Sequence, residues 1–331
     1  MKVYASMSDH LPLADVPAYV RRVESLGYQG IHLAETVHDV FLTALLAVQN
    51  SSQLTVRTSV AVAFARSPMV TALAAWDLAL LSEGRFSLGL GTQVKGNIEG
   101  RYGMSWTEPV ARMREYVASL RAIFHAFQSG EPLDVTGESY SFRRLQPYFN
   151  PGPHDHPHIP IYLGGVNPRM CALAGEVADG LVTHPTSAIP EVLERIGADV
   201  RAGGRAVELV ASTQFVTGPD AASLRDRRED KRRLLAFLYS TPAYRPALAT
   251  IGYGDRADAL HALSRKGSWD DLGAVLDDDL LDRLAPSATY AELAPLLVAR
   301  YAGRADALVV SLPDDPAEDD AMAAVVSALQ A

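Results

Sequence analysis

The chain has 331 residues, 48% hydrophobic and 21% charged, a balance that suits a folded globular protein with a large apolar core. With 30 Lys and Arg against 39 Asp and Glu the net charge is −9, which argues against nucleic acid as a partner. No apolar run reaches the roughly 18 residues of a membrane span, and the opening MKVYASM has no signal-peptide core. The single cysteine, Cys171, excludes an intramolecular disulfide and fits a reducing compartment. The expectation is a cytoplasmic protein that binds neither membrane nor nucleic acid.

In chain order, residues 2–7 read as a strand and 15–26 as a helix, with Val16, Tyr19, Val20, Val23 and Leu26 at helical spacing before Gly27. Residues 30–34 form the second strand and 41–48 a helix. The β-branched run 54–64 is the third strand, and 71–81 a helix that stops near Gly84. Residues 86–90 are the fourth strand, followed by a long helix over 109–127. A fifth strand at 159–163 leads to a helix at 169–177, and a sixth at 180–183 to a helix at 191–200. The seventh strand spans 208–216 and the eighth 305–312, before a last helix at 317–329.

Eight strands alternating with helices imply a parallel sheet, and the count favours a closed (β/α)8 TIM barrel of the α/β class. The expectation is one barrel domain over 1–331, with insertions after the fourth and seventh strands. The insertion segments are about 92–107, 129–158 and 220–286. The second carries the hairpin-like LDVTGESYSF, and the third is mostly helical.

SEGRFSLGLGTQVKG, at 82–96, runs a strand into Gly-x-Gly. A dinucleotide fingerprint fails because Val94 stands at the third glycine and a long helix follows. A P-loop fails because Asn97 and Ile98 replace Lys and Ser/Thr after Gly91 and Gly96. What remains is a tight turn at the C-terminal end of a barrel strand. That turn either carries no ligand or lets a flat or anionic ligand approach the backbone closely.

Longer blocks carry more information. SVAVAFARSPMVTALAAWDLALLSEGRFSLGLG contains Arg66-Ser67-Pro68, Leu81-Ser82-Glu83-Gly84-Arg85 and Gly89-Leu90-Gly91. PIYLGGVNPRMCALAGEVADGL and IHLAETVHD lie on either side of it in the chain. In this order the blocks resemble the luciferase-like monooxygenase superfamily, in particular its deazaflavin (F420)-dependent oxidoreductases, over most of residues 1–185. The C-terminal half resembles the family mainly in architecture.

The resemblance implies an enzyme with a cofactor at the C-terminal barrel mouth, F420 or alternatively FMN, acting on a small organic substrate by hydride transfer. It implies a non-prolyl cis peptide at Ser59–Val60, with Ser59, Val60 and Ala61 behind the ring. The turn Gly164, Gly165, Val166, Asn167 would hold the phosphate, as orphan N–H groups at a helix N-terminus favour an anion. Gly91, Thr92, Gln93 and Asn97 would line the other side. Glu35, ending the second strand, would meet the ring edge or act in proton transfer. Relatives often follow this acid with His; here Thr36 follows, so His38 and His184 join Glu35 as catalytic candidates. His10 and Trp106 are candidate substrate contacts, and a homodimer is the implied assembly. Rival readings are an FMN-dependent monooxygenase, a metal-dependent barrel hydrolase and a non-catalytic cofactor-binding protein.

Other features read more simply. His154 to His158, HDHPH, includes an H-x-H, but it precedes the fifth strand beside prolines, so no metal site is expected. RDRREDKRR, at 225–233, reads as a solvated helix face. DDPAEDD, at 314–320, starts the last helix, where acids suit the dipole. Cys171 reads as a core residue.

Overall fold

A computed structural model describes residues 1–331. Its strands are β1 Lys2–Ser6, β2 Gly30–Leu33, β3 Thr55–Thr58, β4 Ala61–Val62, β5 Phe86–Gly91, β6 Val135–Thr136, β7 Ser141–Phe142 and β8 Ile161–Gly164. There follow β9 Gly180–Val182, β10 Glu208–Ser212, β11 Val216–Gly218, β12 Ser287–Thr289 and β13 Ala307–Val309. Its helices are α1 Val16–Ser25, α2 Val40–Gln49, α3 Pro68–Leu81, α4 Lys95–Gly100, α5 Pro109–Ser129, α6 Pro168–Val177 and α7 Pro190–Ala202. The remainder are α8 Ala221–Tyr239, α9 Arg245–Thr250, α10 Gly254–Lys266, α11 Asp278–Leu284, α12 Tyr290–Tyr301 and α13 Asp319–Gln330.

The main sheet has the order β3-β2-β1-β13-β10-β9-β8-β5-β4, and a β3–β5 pairing closes it. With β3 and β4 as two halves of one interrupted strand, this is an eight-stranded parallel (β/α)8 barrel. Local signals set the helix starts. Ser67 caps α3 by accepting from the Val70 N–H, Asn167 caps α6 by accepting from the Met170 N–H, and Pro68 and Pro168 occupy the first helical positions. No helix is long and apolar enough to cross a membrane.

Three differences from the sequence reading have physical causes. The run 54–64 is not one continuous strand: β3 and β4 are separated at Ser59–Val60, whose peptide bond is cis as the family resemblance implies, and a 3-10 turn Ala63–Ala65 follows. The seventh strand ends at Ser212, and β11 pairs instead with β12 in a separate parallel ladder. Apolar text either side of Thr213 and Gln214 hides that change of partner. Finally, α12 occupies text with no expected element; a capping box of Thr289 and Glu292 starts it, and it tolerates Pro295.

By its contacts the chain falls into two compact units. The unit of residues 4–182 and 199–208 buries Phe64, Trp76, Phe86, Tyr116 and Phe127. It also holds a buried polar cluster around Arg57, which is 2% exposed. The Arg57 guanidinium donates to Ser87 Oγ at 2.9 Å, meets His32 Nε2 at 3.2 Å and Glu208 at 3.5 Å, and lies 3.5 Å from the Tyr162 ring centre. Tyr162 donates to Glu208 at 2.6 Å. Burial, and then the Arg57 charge, push His32 well below the usual histidine range.

The unit of residues 1–3, 183–198 and 209–331 is organised around α8. Here the reading of 225–233 as a solvated face is corrected. Arg227 pairs with Glu318 at 2.5 Å, Arg228 pairs with Asp282, and Arg232 pairs with Asp278 at 2.5 Å. Glu318 also accepts from Tyr290, so the acidic 314–320 segment does more than start α13. Periodicity shows which face of a helix is charged; it cannot show that acids 46 to 91 residues away will cover it.

Candidate cofactor and substrate site

Within the first unit the interrupted strand defines the candidate site. Val60, half-buried, projects between two glycines at the C-terminal ends of β5 and β8. A Cβ on Gly91 would lie 2.4 Å from Val60 Cγ2, and one on Gly164 would lie 3.0 Å from Val60 Cγ1. These glycines therefore make room first for a protein side chain. The tight-turn and close-approach readings of Gly91 are both incomplete: the close approach exists, and Val60 occupies it.

Glu35 is 8% exposed and is anchored to this feature. Its Oε2 accepts from the Val62 N–H at 2.7 Å and from Arg66 at 2.6 Å, and Arg66 also reaches Oε1 at 2.5 Å. Asp39, the cap of α2, shares the same guanidinium at 2.7 Å. Burial works to lower the Arg66 proton affinity, but hydrogen bonds and charge from Glu35 and Asp39 outweigh it and raise it. Arg66 belongs to the quoted Arg-Ser-Pro motif, yet no chemical role for it is apparent from sequence. The geometry makes it the clamp between β2 and the turn after β4.

The loop after β5 is held by its own side chains. Gln93, at φ 60°, accepts from the Val94 N–H at 3.0 Å and the Asn97 amide at 3.2 Å, while the Thr92 hydroxyl donates to the Gln93 carbonyl at 3.0 Å. After β8, the Gly165 N–H reaches the Val182 carbonyl at 3.4 Å and Asn167 Oδ1 accepts from Met170 at 2.9 Å. Val166 and the cap residue Asn167 precede the helix and Arg169 lies in its first turn, so their N–H groups have no helical acceptor. That is an arrangement suited to an anion. Ala61 lies in β4 beside Val60 and pairs with Leu90.

Of the candidate substrate contacts in this unit, Trp106 is half-buried and packs edge-on against the buried Phe64 at 5.8 Å. Arg112, unremarked in sequence, supports that loop: it lies 4.3 Å from the Phe64 ring centre and donates to the Ser105 carbonyl at 2.8 Å. His10 is exposed in the turn after β1, and His38 is half-buried between β2 and α2. The HDHPH histidines make packing contacts: His154 lies 4.0 Å from the Trp76 ring centre, and its Nδ1 accepts from the His156 N–H at 3.0 Å.

In the second unit, His184 follows the end of β9 and is stacked on Tyr244, centroids 4.3 Å apart and planes 14° off parallel. Its Nε2 is 3.0 Å from Tyr244 Oη and its Nδ1 is 2.8 Å from Thr186 Oγ1. Burial pushes His184 down to about 4. Lys231 of α8 is also turned inward, and its Nζ donates to Gln214 Oε1 at 3.1 Å. Burial lowers its proton affinity, and the Asp314 charge opposes that. Tyr244 cannot be picked out in the sequence, since it lies in the divergent insertion with no motif around it, and Lys231 stands within the charged run 225–233, which reads as a solvated face.

The structure is a parallel barrel with a side-chain floor and an anion-suited turn at its C-terminal strand ends, the end where barrels place their binding sites. Residues 2–307 match the family model for luciferase-like monooxygenases, and the chain belongs to that family. It is 39% identical over 292 residues to an uncharacterised protein of Mycobacterium tuberculosis, covering 86% of each chain. It is 25% identical over 287 residues to the 5,10-methylenetetrahydromethanopterin reductase of Methanolobus tindarius, covering 84% of each. Among solved structures, the coenzyme F420-dependent tetrahydromethanopterin reductase of Methanopyrus kandleri shares the fold, with TM-score 0.80, 16% identity and coverage of 99% and 98%. The class is thus an oxidoreductase of the luciferase-like family.

Proposed function

We propose that the chain is an F420-dependent oxidoreductase acting on a small organic substrate. The observation that carries this reading is the floor made by Val60 between Gly91 and Gly164, with α6 starting four residues after Gly164. A flat ring needs an apolar support and its phosphate needs unpaired N–H donors; both are present on neighbouring strand ends. Val60 and Ala61 would support the ring, the Val166 and Asn167 N–H groups would hold the phosphate, and the loop Thr92 to Asn97 would flank it. When bound, the deazaflavin supplies two-electron chemistry by hydride transfer at C5.

The chain's own residues bind, orient and exclude water. Glu35 is assigned to positioning, because both its oxygens are engaged with Arg66 and the Val62 N–H. Its carboxylate fixes where the turn after β4 lies, and so where Val60 points. The relatives named for F420 and for methanopterin reduction support F420 over FMN.

The FMN reading keeps one specific support, the monooxygenase description of the family itself. Turnover separates them. Anaerobic incubation of the protein with reduced F420 and a panel of carbonyl compounds should oxidise the deazaflavin. Oxygen consumption with reduced FMN, and none of the F420 reaction, would overturn the proposal.

A further inference from the structure

We infer that the groove between α8 and the turn Trp269–Val275 binds an organic cation with an apolar body, an alkyl or aryl-alkyl ammonium, through the ring faces of Phe237 and Trp269 and the carboxylate of Asp270. The groove lies wholly within the second unit, and its occupancy does not depend on F420.

Glu229, Arg233 and Phe237 stand four residues apart on α8 and so share one face of it, opposite Lys231. That face and the 3-10 turn Trp269–Val275 bound a groove of about 940 Å³. Its walls are fixed by long-range bonds. Arg232 of α8 donates to the Leu276 carbonyl and pairs with Asp278 at 2.5 Å. Arg256 of α10 donates to the Val275 carbonyl at 3.3 Å and to Asp277 at 2.9 Å. Leu272 and Leu276 are buried and give the groove an apolar lining. Phe237 and Trp269, by contrast, are 55% and 54% exposed, with ring centres 6.1 Å apart and planes 49° off parallel. Two half-bare rings in one groove form an open corner of π faces, and such faces attract a cation.

Charge decides the sign of the ligand. Six charged side chains line the groove: Glu229, Arg232, Arg233, Asp270, Asp277 and Asp278. Five have a partner of opposite sign. Arg232 pairs with both Glu229 and Asp278, Arg233 pairs with Asp230 at 3.1 Å, and Asp277 pairs with Arg256. Asp270 is exposed and has no basic partner. The uncompensated charge is therefore negative, and it shares the groove with two negative ring faces. A carboxylate ligand would have to displace Asp230 from Arg233; an ammonium displaces nothing. The volume is in the range of small-molecule sites and exceeds an ammonium head, and Leu272, Ala274 and Leu276 offer the rest of the ligand a hydrocarbon surface.

The test uses three probes with one body and different heads: 4-phenylbutylamine, 4-phenylbutanol and 4-phenylbutyrate. Each is titrated into nitrogen-15-labelled full-length protein without F420. The Trp269 indole N–H is followed by NMR and identified by its loss in Trp269→Phe. The amine should shift that signal saturably and leave the signal of the buried Trp76 in place. It should bind at least about 5-fold tighter than the alcohol, as expected for a cation on two exposed rings. Phe237→Leu and Asp270→Asn change exposed positions and should each weaken the amine about 2- to 5-fold, and Asp270→Asn should leave the alcohol unaffected. Asp134→Asn removes the same charge at an exposed position of the first unit and should leave the amine unaffected. Four results would each overturn the inference. They are no Trp269 shift with the amine, equal binding of amine and alcohol, tightest binding of the butyrate, or an Asp134→Asn effect as large as that of Asp270→Asn. The last would reduce the binding to the general attraction of a chain with net charge −9.

Discussion

Gly91→Ala perturbs the floor of the candidate site directly. The new Cβ would lie 2.4 Å from Val60 Cγ2 and 3.3 Å from Val60 Cβ. Carbon contacts settle at about 3.5–4.0 Å, so Val60 must withdraw by about 1 Å. It has little room to do so: its branched side chain is stiff about χ1, and its other methyl already packs on Gly164. Overpacking of this kind costs about 1–3 kcal/mol. Urea unfolding of Gly91→Ala should show a loss of that size, together with weaker F420 binding. Val60→Ala removes both methyls from a half-buried position and should cost less than about 1 kcal/mol. The double variant Val60→Ala with Gly91→Ala should recover most of the stability, since the added methyl fills the vacated space. A neutral Gly91→Ala, or a double variant as unstable as the sum of the singles, would refute the steric account.

Three further outcomes follow from the geometry. Glu35→Gln should lower stability to urea by about 2–3 kcal/mol, because it leaves Arg66 with Asp39 alone; full stability with lost turnover would make Glu35 an acid/base group instead. His184 sits near 4 in the folded chain, below the roughly 6.5 of an unfolded histidine, so the unfolded chain takes up the extra proton between those values. Stability should therefore fall as pH drops through that window, by at most about 1.4 kcal/mol per pH unit for this group, and His184→Phe should remove that slope in urea titrations. Arg57→Met should cost about 3–5 kcal/mol by leaving Glu208 without its buried cation, while F420 binding by the folded fraction stays unchanged; abolished binding would show that the cluster shapes the site.

The barrel is legible in the sequence because its strands are short apolar runs and its helices carry caps and helical spacing that local chemistry imposes. Strand ends next to Gly91, Gly164 and Asn167 are legible for the same reason. What escapes is pairing at long range. Arg57 stands in a β-branched run, and nothing near it announces Ser87, Tyr162 and Glu208. The charges of 225–233 look solvated until Asp278, Asp282 and Glu318 are folded against them. Tyr244 stacks on a histidine 60 residues earlier. Resemblance to a family locates the interruption at Ser59 and Val60; composition and periodicity read that strand as unbroken.

The central claim is that F420 rests on Val60 between Gly91 and Gly164, with its phosphate at the start of α6. An equilibrium titration of F420 with the purified protein, followed by deazaflavin fluorescence, tests it most directly. The account predicts saturable quenching at micromolar protein, weakened in Gly91→Ala and unaffected by excess FMN. No quenching by wild-type protein that binds FMN would contradict it.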